Sequence, residues 1–259
     1  MGIGNTSGGG TDRQQLVMNG NIAIIFAGGT GRRMNDTETP KQFIELGGKP
    51  VVAYTLEHFE RHGRIDAIYA ACLEGYEQRL EEIAERHGIR KLCAIVPGGD
   101  SAQDSIYRAL TRAAQDWGGD SLALIHDAVR PIIEGSLIDR LIDACTRHGN
   151  AVACAPANET CVLSSDGATV DAIPDRSKSF RVQAPQAFRL RDILVAHEAM
   201  RTVDGAYGGL VCSASLMQRF GHQIHLVQGA YGNIKITYPD DIAFFAGWLA
   251  AHGEGSGDA

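Results

Sequence analysis

The residues with the clearest chemical potential stand near the N-terminus. Ala27-Gly28-Gly29-Thr30-Gly31-Arg32-Arg33-Met34 is followed by Pro40-Lys41-Gln42. The stretch comes directly after Ile22–Phe26, a short apolar run rich in β-branched residues, which predicts a buried strand. Glycines such as Gly28, Gly29 and Gly31 let backbone N–H groups approach phosphate oxygens, while Arg33 and Lys41 can neutralise the charge that amides leave. The implied chemistry is phosphate binding. A dinucleotide fingerprint is excluded, because Gly29-Thr30-Gly31 is followed by Arg32, Arg33 and Met34 with no third glycine. A P-loop string does not occur. An ordinary glycine-rich strand-to-helix turn is the competing reading.

Further segments extend the pattern: Gly98-Gly99-Asp100, Ser105, His126-Asp127-Ala128-Val129-Arg130-Pro131, Pro185-Gln186-Ala187-Phe188 and Asn233-Ile234-Lys235-Ile236-Thr237. In this order, over roughly residues 21 to 250, the series resembles the sugar-nucleotide pyrophosphorylases. More narrowly, it resembles the cytidylyltransferases that act on alditol phosphates. One branch of that family makes CDP-methylerythritol for isoprenoids, and the other makes CDP-ribitol for wall or capsule polymers.

The resemblance implies a set of roles. CTP and an alditol phosphate are the substrates, Mg²⁺ is the cofactor, and Arg33, Lys41 and Lys235 are the catalytic cations on the triphosphate. Gly99, Asp100 and Ser105, with backbone from Ala27 and Gly28, read the base. Asp127 holds the ribose or Mg²⁺. Arg130, Thr160, Arg176 and Thr237 serve the acceptor, with Arg176 reaching it from a partner subunit. As isolated residues, Arg33 and Lys41 also read as solvated charges, Asp100 as a turn residue or helix cap, and His126 as a packed core histidine. The attacking group is itself a phosphate with a second pKa of about 6, so no general base is required.

Details within the motifs lean toward the ribitol branch: Phe26-Ala27-Gly28-Gly29, Val129 and Gln183. Others depart from the family. Ala184 stands where threonine is usual, Ser101-Ala102-Gln103 lacks an arginine, and Val211-Cys212-Ser213 replaces a Thr-Asp pair. These changes imply an altered acceptor pocket or weak activity. A silent nucleotide-binding module is the reading from another functional class.

The elements that must position these residues alternate. Strands are expected at Ile22–Phe26, Ala67–Cys72, Lys91–Val96, Ser121–Ile125 and Ala151–Ala155. Helices are expected at Val51–Arg61, Tyr76–His87, Asp104–Trp117 and Gly135–His148. This rhythm predicts an α/β fold, a Rossmann-like, mostly parallel sheet with helices on both faces. Ligands of such sheets bind at the carboxyl ends of strands, where the glycine-rich turn, Gly98-Gly99-Asp100 and His126-Asp127 all fall. Within residues 156–182, Thr160–Leu163 and Thr169–Ile173 flank Ser164–Ala168 and predict a protruding β-hairpin arm. The resemblance makes that arm the contact of a homodimer; otherwise it packs on its own domain. Helices Arg191–Arg201, Val211–Phe220 and Asp240–Ala251 and a strand Gln223–Val227 complete the chain. Residues 1–20 read as a leader, 21–252 as one nucleotidyltransferase domain, and 253–259 as a tail.

Composition narrows the class. The 259 residues are 44% hydrophobic and 21% charged, enough for a substantial core. A formal charge of −7 argues against a nucleic-acid binder, so any phosphate site is a local cationic cluster on an acidic body. The six cysteines form no Cys-x-x-Cys pair and read as reduced thiols of a cytoplasmic protein. No apolar stretch approaches membrane-spanning length.

Overall fold

The computed structural model describes residues 18–27, 39–203, 205 and 207–253. The expected phosphate-cradle residues Gly28, Gly29, Gly31 and Arg33 lie outside the described residues, as do most of the leader and tail.

β1 (Asn21–Ala27) leads to a 3-10 turn at Lys41–Phe43 and a small antiparallel pair, β2 (Glu45–Leu46) and β3 (Lys49–Pro50). Then come α1 (Val51–Arg61), β4 (Ala67–Cys72), α2 (Glu77–Arg86), β5 (Leu92–Pro97), α3 (Ala102–Ala113), β6 (Leu122–Asp127), α4 (Gly135–His148) and β7 (Asn150–Pro156). The chain ends with β8 (Phe180–Arg189), α5 (Leu190–Arg201), α6 (Ser213–Arg219), β9 (Leu226–Gln228) and α7 (Pro239–His252). The seven-stranded sheet runs β5-β4-β1-β6-β8-β7-β9. β8 is antiparallel to both of its neighbours, and the other pairings are parallel.

Strand alternation divides the core into two layers. Ala23 and Ile25 of β1, Ile68 and Ala70 of β4, and Leu122 and Leu124 of β6 face α1, α2 and α4. Ile22, Ile24, Tyr69, Ala123 and Ile125 point to the opposite face, against α3, α5 and α6. Both faces are covered, as the near-continuous apolar strands require. A third cluster joins α7 to α1 and to the loop preceding α7: Val51, Tyr54, Val129, Ile132, Ile236 and Phe245.

Several boundaries differ from the sequence reading. β8 was not expected: its Pro185 and interspersed glutamines and arginines hide a strand that is buried only over its second half. The predicted hairpin arm reduces to one antiparallel bridge, Leu163 to Ala172, rather than two paired strands. Its turn is built instead around the Asp166 carboxylate, which accepts from the N–H groups of Ala168 and Thr169 and from the Thr169 hydroxyl. Local side-chain bonds of this kind compete with a ladder. The predicted α6 start at Val211 falls two residues early. At the end of the expected leader, Met18 and Gly20 are already tied to Gly118 and to the Ser121 hydroxyl.

Two histidines are fully enclosed. His126 packs against Phe59 with the rings tilted and bonds the Arg130 carbonyl through Nε2, which fixes the neutral tautomer with the proton on that nitrogen. His197 bonds the Tyr207 hydroxyl through Nδ1. Burial, above all, pushes both down to about 3. At His197 the nearby Arg201 charge adds to that effect.

Two predictions follow from this packing. Phe245 is the one buried residue of α7 and meets Tyr54 edge-on, so Phe245→Ala is expected to cost about 3–5 kcal/mol, read from urea unfolding midpoints. Below about pH 6.5 the unfolded chain protonates both histidines while the native chain does not, so stability falls with pH until the folded pKa is reached. Each histidine contributes a slope of about 1.4 kcal/mol per pH unit. His126→Gln, which keeps a donor for the Arg130 carbonyl, is expected to make the acid slope shallower by about that amount. An unchanged slope in urea titrations across that range would exclude His126 as a source.

Candidate active site

Parallel register brings distant motifs to one rim. Phe26 of β1 pairs with Asp127 of β6, Ala27 with Cys72 of β4, and Cys72 with Pro97 of β5. The chain leaves β1 toward β4 on one side, and β6 lies on the other. The carboxyl ends of β1 and β6 therefore form the switch point where open α/β sheets bind ligands.

Asp127, the last residue of β6, is the centre of this rim. Its Oδ2 lies 2.8 Å from Arg130 Nε, and its Oδ1 contacts the Lys235 ammonium. Burial alone would raise its pKa, but the Lys235 and Arg130 charges and their hydrogen bonds outweigh burial and hold it well below the usual carboxylate range.

The loop carrying Lys235 is fastened from several directions. Arg130 Nη1 donates to the Asn233 carbonyl at 2.8 Å, and Asn233 Nδ2 donates to the Ala184 carbonyl at 2.7 Å. The Ile236 N–H bonds the Val129 carbonyl at 2.9 Å, and the Ile236 side chain is buried. Lys41 Nζ donates to the Ile236 carbonyl at 3.0 Å, across 195 residues of sequence. Lys41 and Lys235 are thereby brought to the same loop. Gln42 Nε2 donates to the Ala27 carbonyl at 2.7 Å, fixing the end of β1.

The Gly98–Gly99 turn follows β5 at the same rim. The Gly98 N–H donates to the Cys72 carbonyl, and a Cβ at Gly98 would lie 2.9 Å from that oxygen. A Cβ at Gly99 would fall 1.9 Å from Asp104 Oδ2. Close approach therefore demands both glycines. Ser105 is buried, and its hydroxyl accepts from the Gly99 N–H at 2.9 Å and donates to the Ser101 carbonyl. It shapes the turn from beneath. Asp100 is exposed, and the cap of α3 is Ser101, whose side chain accepts from the Asp104 N–H.

A cleft of about 270 Å³ opens beside Asp127, Arg130 and Lys235. Its apolar surface comes from Phe26, Ile106, Ile125, Val182, Ala184 and Val211, and its polar surface from Gln103, Gln183, Gln186 and Ser213. Lys235 Nζ lies 5.6 Å from the centre of the Phe26 ring. The departures noted in the sequence, Ala102, Ala184, Val211 and Cys212, all line this cleft. Gln103 and Ser213 belong to the two departing segments already noted in the sequence, which assigned no role to either side chain; the folded cleft places both in its lining.

Three expected acceptor residues do not line the cleft of their own chain. Thr237 donates through its hydroxyl to the Lys235 carbonyl and through its N–H to the Asp241 carboxylate, so it serves the start of α7. Thr160 and Arg176 are exposed in the segment between β7 and β8. Among the described residues, no group of three or more His, Cys, Asp and Glu side chains could hold a metal ion, and no helix is long and apolar enough to cross a membrane.

Comparison with known proteins assigns the architecture. Residues 21–250 match the family described as IspD: 2-C-methyl-D-erythritol 4-phosphate cytidylyltransferase. A Vibrio parahaemolyticus protein named ribitol-5-phosphate cytidylyltransferase is 42% identical over 225 residues, covering 87% of this chain and 94% of its own. A Geobacillus kaustophilus protein named 2-C-methyl-D-erythritol 4-phosphate cytidylyltransferase is 37% identical over 229 residues, covering 88% and 96%. The crystal structure of 4-diphosphocytidyl-2C-methyl-D-erythritol synthase from Anaerococcus prevotii superposes with a TM-score of 0.76 at 27% identity, over 90% of this chain and 96% of that one. With its mostly parallel sheet and its cations gathered at the switch point, the chain belongs to the IspD family of cytidylyltransferases and is a nucleotidyltransferase.

Proposed function

We propose that this enzyme transfers CMP from CTP to D-ribitol 5-phosphate, giving CDP-ribitol and pyrophosphate. The observation that carries the reading is the pairing of Lys235 and Arg130 with one buried carboxylate, with Lys41 bonded to the loop that carries Lys235, beside a cleft with mixed polar and apolar walls. The 42% identity to the Vibrio protein named for ribitol 5-phosphate supports that acceptor, as do Phe26-Ala27, Val129 and Gln183. The relatives named for methylerythritol phosphate support the second reading, in which that compound is the acceptor.

The reaction needs charge neutralisation more than proton transfer. A phosphate oxygen of the acceptor, mostly dianionic at neutral pH, forms a new bond to the α-phosphorus of CTP. The bond from that phosphorus to the bridging oxygen breaks, and its electrons leave with pyrophosphate. Two anions must meet in line, so fixed cations lower the barrier by holding them and by stabilising the spreading charge. Lys41 and Lys235 are assigned to the triphosphate with Arg33, and Arg130 to the acceptor phosphate. The Gly98–Gly99 turn offers backbone groups to the base. Asp127 orients Arg130 and Lys235.

A single carboxylate suits Mg²⁺, which takes few protein oxygens and is completed by phosphates and water. Asp127 is the carboxylate in the described lining of the cleft and would hold the ion there. The ion would supply further neutralisation of the triphosphate.

The segment between β7 and β8 exposes Val162, Leu163, Val170 and Ile173, an apolar group that calls for a partner surface. We assign it to contact with a second copy of the chain, which would also carry Arg176 toward the neighbouring site.

Three outcomes are expected. With CTP and Mg²⁺, pyrophosphate is released rapidly with ribitol 5-phosphate and slowly with methylerythritol 4-phosphate; the reverse preference would select the second reading, and no release with either would favour a silent nucleotide-binding module. Lys41→Ala lowers turnover by about 10²–10³-fold while leaving the thermal midpoint within a few degrees; wild-type turnover removes Lys41 from the mechanism. Leu163→Asp with Ile173→Asp converts dimer to monomer in sedimentation equilibrium, and an unchanged mass would dissociate the arm from assembly.

A further inference from the structure

The polar groups lining the cleft divide into those already occupied and those left over. Gln186 is occupied: its Oε1 accepts from the Ala214 N–H at 2.9 Å, and its Nε2 donates to the Gln183 carbonyl. Gln183 is tied through Nε2 to the Ala230 and Asn233 carbonyls. Its Oε1 has no hydrogen-bond partner and lies against Gly229, where a Cβ would sit 2.8 Å away. Both glutamines thus serve the framework.

Gln103 and Ser213 have no such task. Gln103 lies on the first turn of α3 and is 4% exposed; Ser213 opens α6 and is 2% exposed. Neither Gln103 Oε1 nor Ser213 Oγ has a hydrogen-bond partner. The hydroxyl that caps the start of α6 belongs to Ser215, which bonds the Cys212 backbone at both N–H and carbonyl. An unpaired buried polar atom costs about 1–3 kcal/mol, and native interiors keep few of them. Two of them, on different elements that line one cleft, indicate a ligand that completes them.

The missing partner must donate to an amide oxygen and bond a hydroxyl, while lying against the apolar surface of Ala184 and Val211. A chain of C–H and O–H groups meets both demands, since each hydroxyl donates and accepts and the carbon skeleton tolerates methyl groups. We propose that Gln103 and Ser213 are the specificity-determining residues for the acceptor, bonding the hydroxyl groups of the alditol while Arg130 holds its phosphate. The inference rests on the cytidylyltransferase reading above and adds to it the residues that choose the alditol.

Steady-state pyrophosphate release with CTP, Mg²⁺ and ribitol 5-phosphate tests it, using the full-length enzyme, Gln103→Leu, Ser213→Ala and Ser213→Thr. Loss of one hydrogen bond is expected to raise the acceptor KM about tenfold in the first two variants, with the CTP KM moving less than about twofold. Ser213→Thr retains the hydroxyl and should stay nearer the wild-type KM than Ser213→Ala. Replacing an unpaired polar group with an apolar one should also leave the thermal midpoint unchanged or higher, whereas a structural role would lower it. A ribitol phosphate lacking one hydroxyl should suffer in the wild-type enzyme and lose that penalty in the variant whose side chain read it. Acceptor KM values within about twofold of wild type in both truncations would overturn the inference and leave the function standing. Absence of turnover by the unaltered enzyme with every alditol phosphate would overturn the acceptor reading and this inference together.

Discussion

The site depends on one buried charge. Asp127 closes the central strand β6 beneath the protein surface, where a lone carboxylate would cost several kcal/mol. It is tolerated because Arg130, three residues on, and Lys235, more than a hundred residues away, both bring positive charge to it. The same contacts fasten the Asn233–Thr237 loop to the turn after β6. The carboxylate is thus an anchor first, gathering cations that would otherwise repel one another into a local positive cluster on a protein of net negative charge.

The backbone around it serves the same end. The Val129 carbonyl receives Ile236, the Ala128 carbonyl receives Thr55, and the Asn233 carbonyl receives Arg130. Ile236 then sits in the cluster that α1 and α7 close with Tyr54 and Phe245. Helix packing far from the cleft therefore sets the position of Lys235. At the other side of the rim, the Cys72 carbonyl crowds Gly98 and the Asp104 side chain crowds Gly99, so a side chain at either position would force its neighbours to shift. Lys41, Arg130, Lys235 and the Gly98–Gly99 turn are each held by contacts to other segments of the fold, as a site that works by positioning requires.

Much of this was legible in the amino-acid sequence. Val51–Arg61, Ala67–Cys72 and Gly135–His148 were readable to the residue, because their apolar periodicity is uninterrupted and their ends are marked by Pro50, by Leu73-Glu74-Gly75 and by Gly149. The ordering of strands with motifs at their ends also gave the rim on which the functional residues lie. β8 was not legible: Pro185 and the alternating polar residues are those of an edge or a loop, yet the strand is inserted between β6 and β7. The arm erred in the opposite direction. Its apolar–turn–apolar pattern predicts paired strands, but the Asp166 side chain satisfies the backbone locally and only one bridge forms.

The sequence by itself determined the fold class, the family motifs and the identity of the charged groups, since these follow from local periodicity and from residue type. Tertiary structure alone decided which groups remain available. It pairs Arg130 and Lys235 with Asp127, turns Ser105 and Thr237 to backbone duties, and leaves Gln103 and Ser213 unsatisfied in the cleft. The reason is physical. A side chain's chemistry is fixed by its type, but its role depends on which hydrogen-bonding partners the folded chain brings within about 3 Å, and those partners come from segments far apart in sequence.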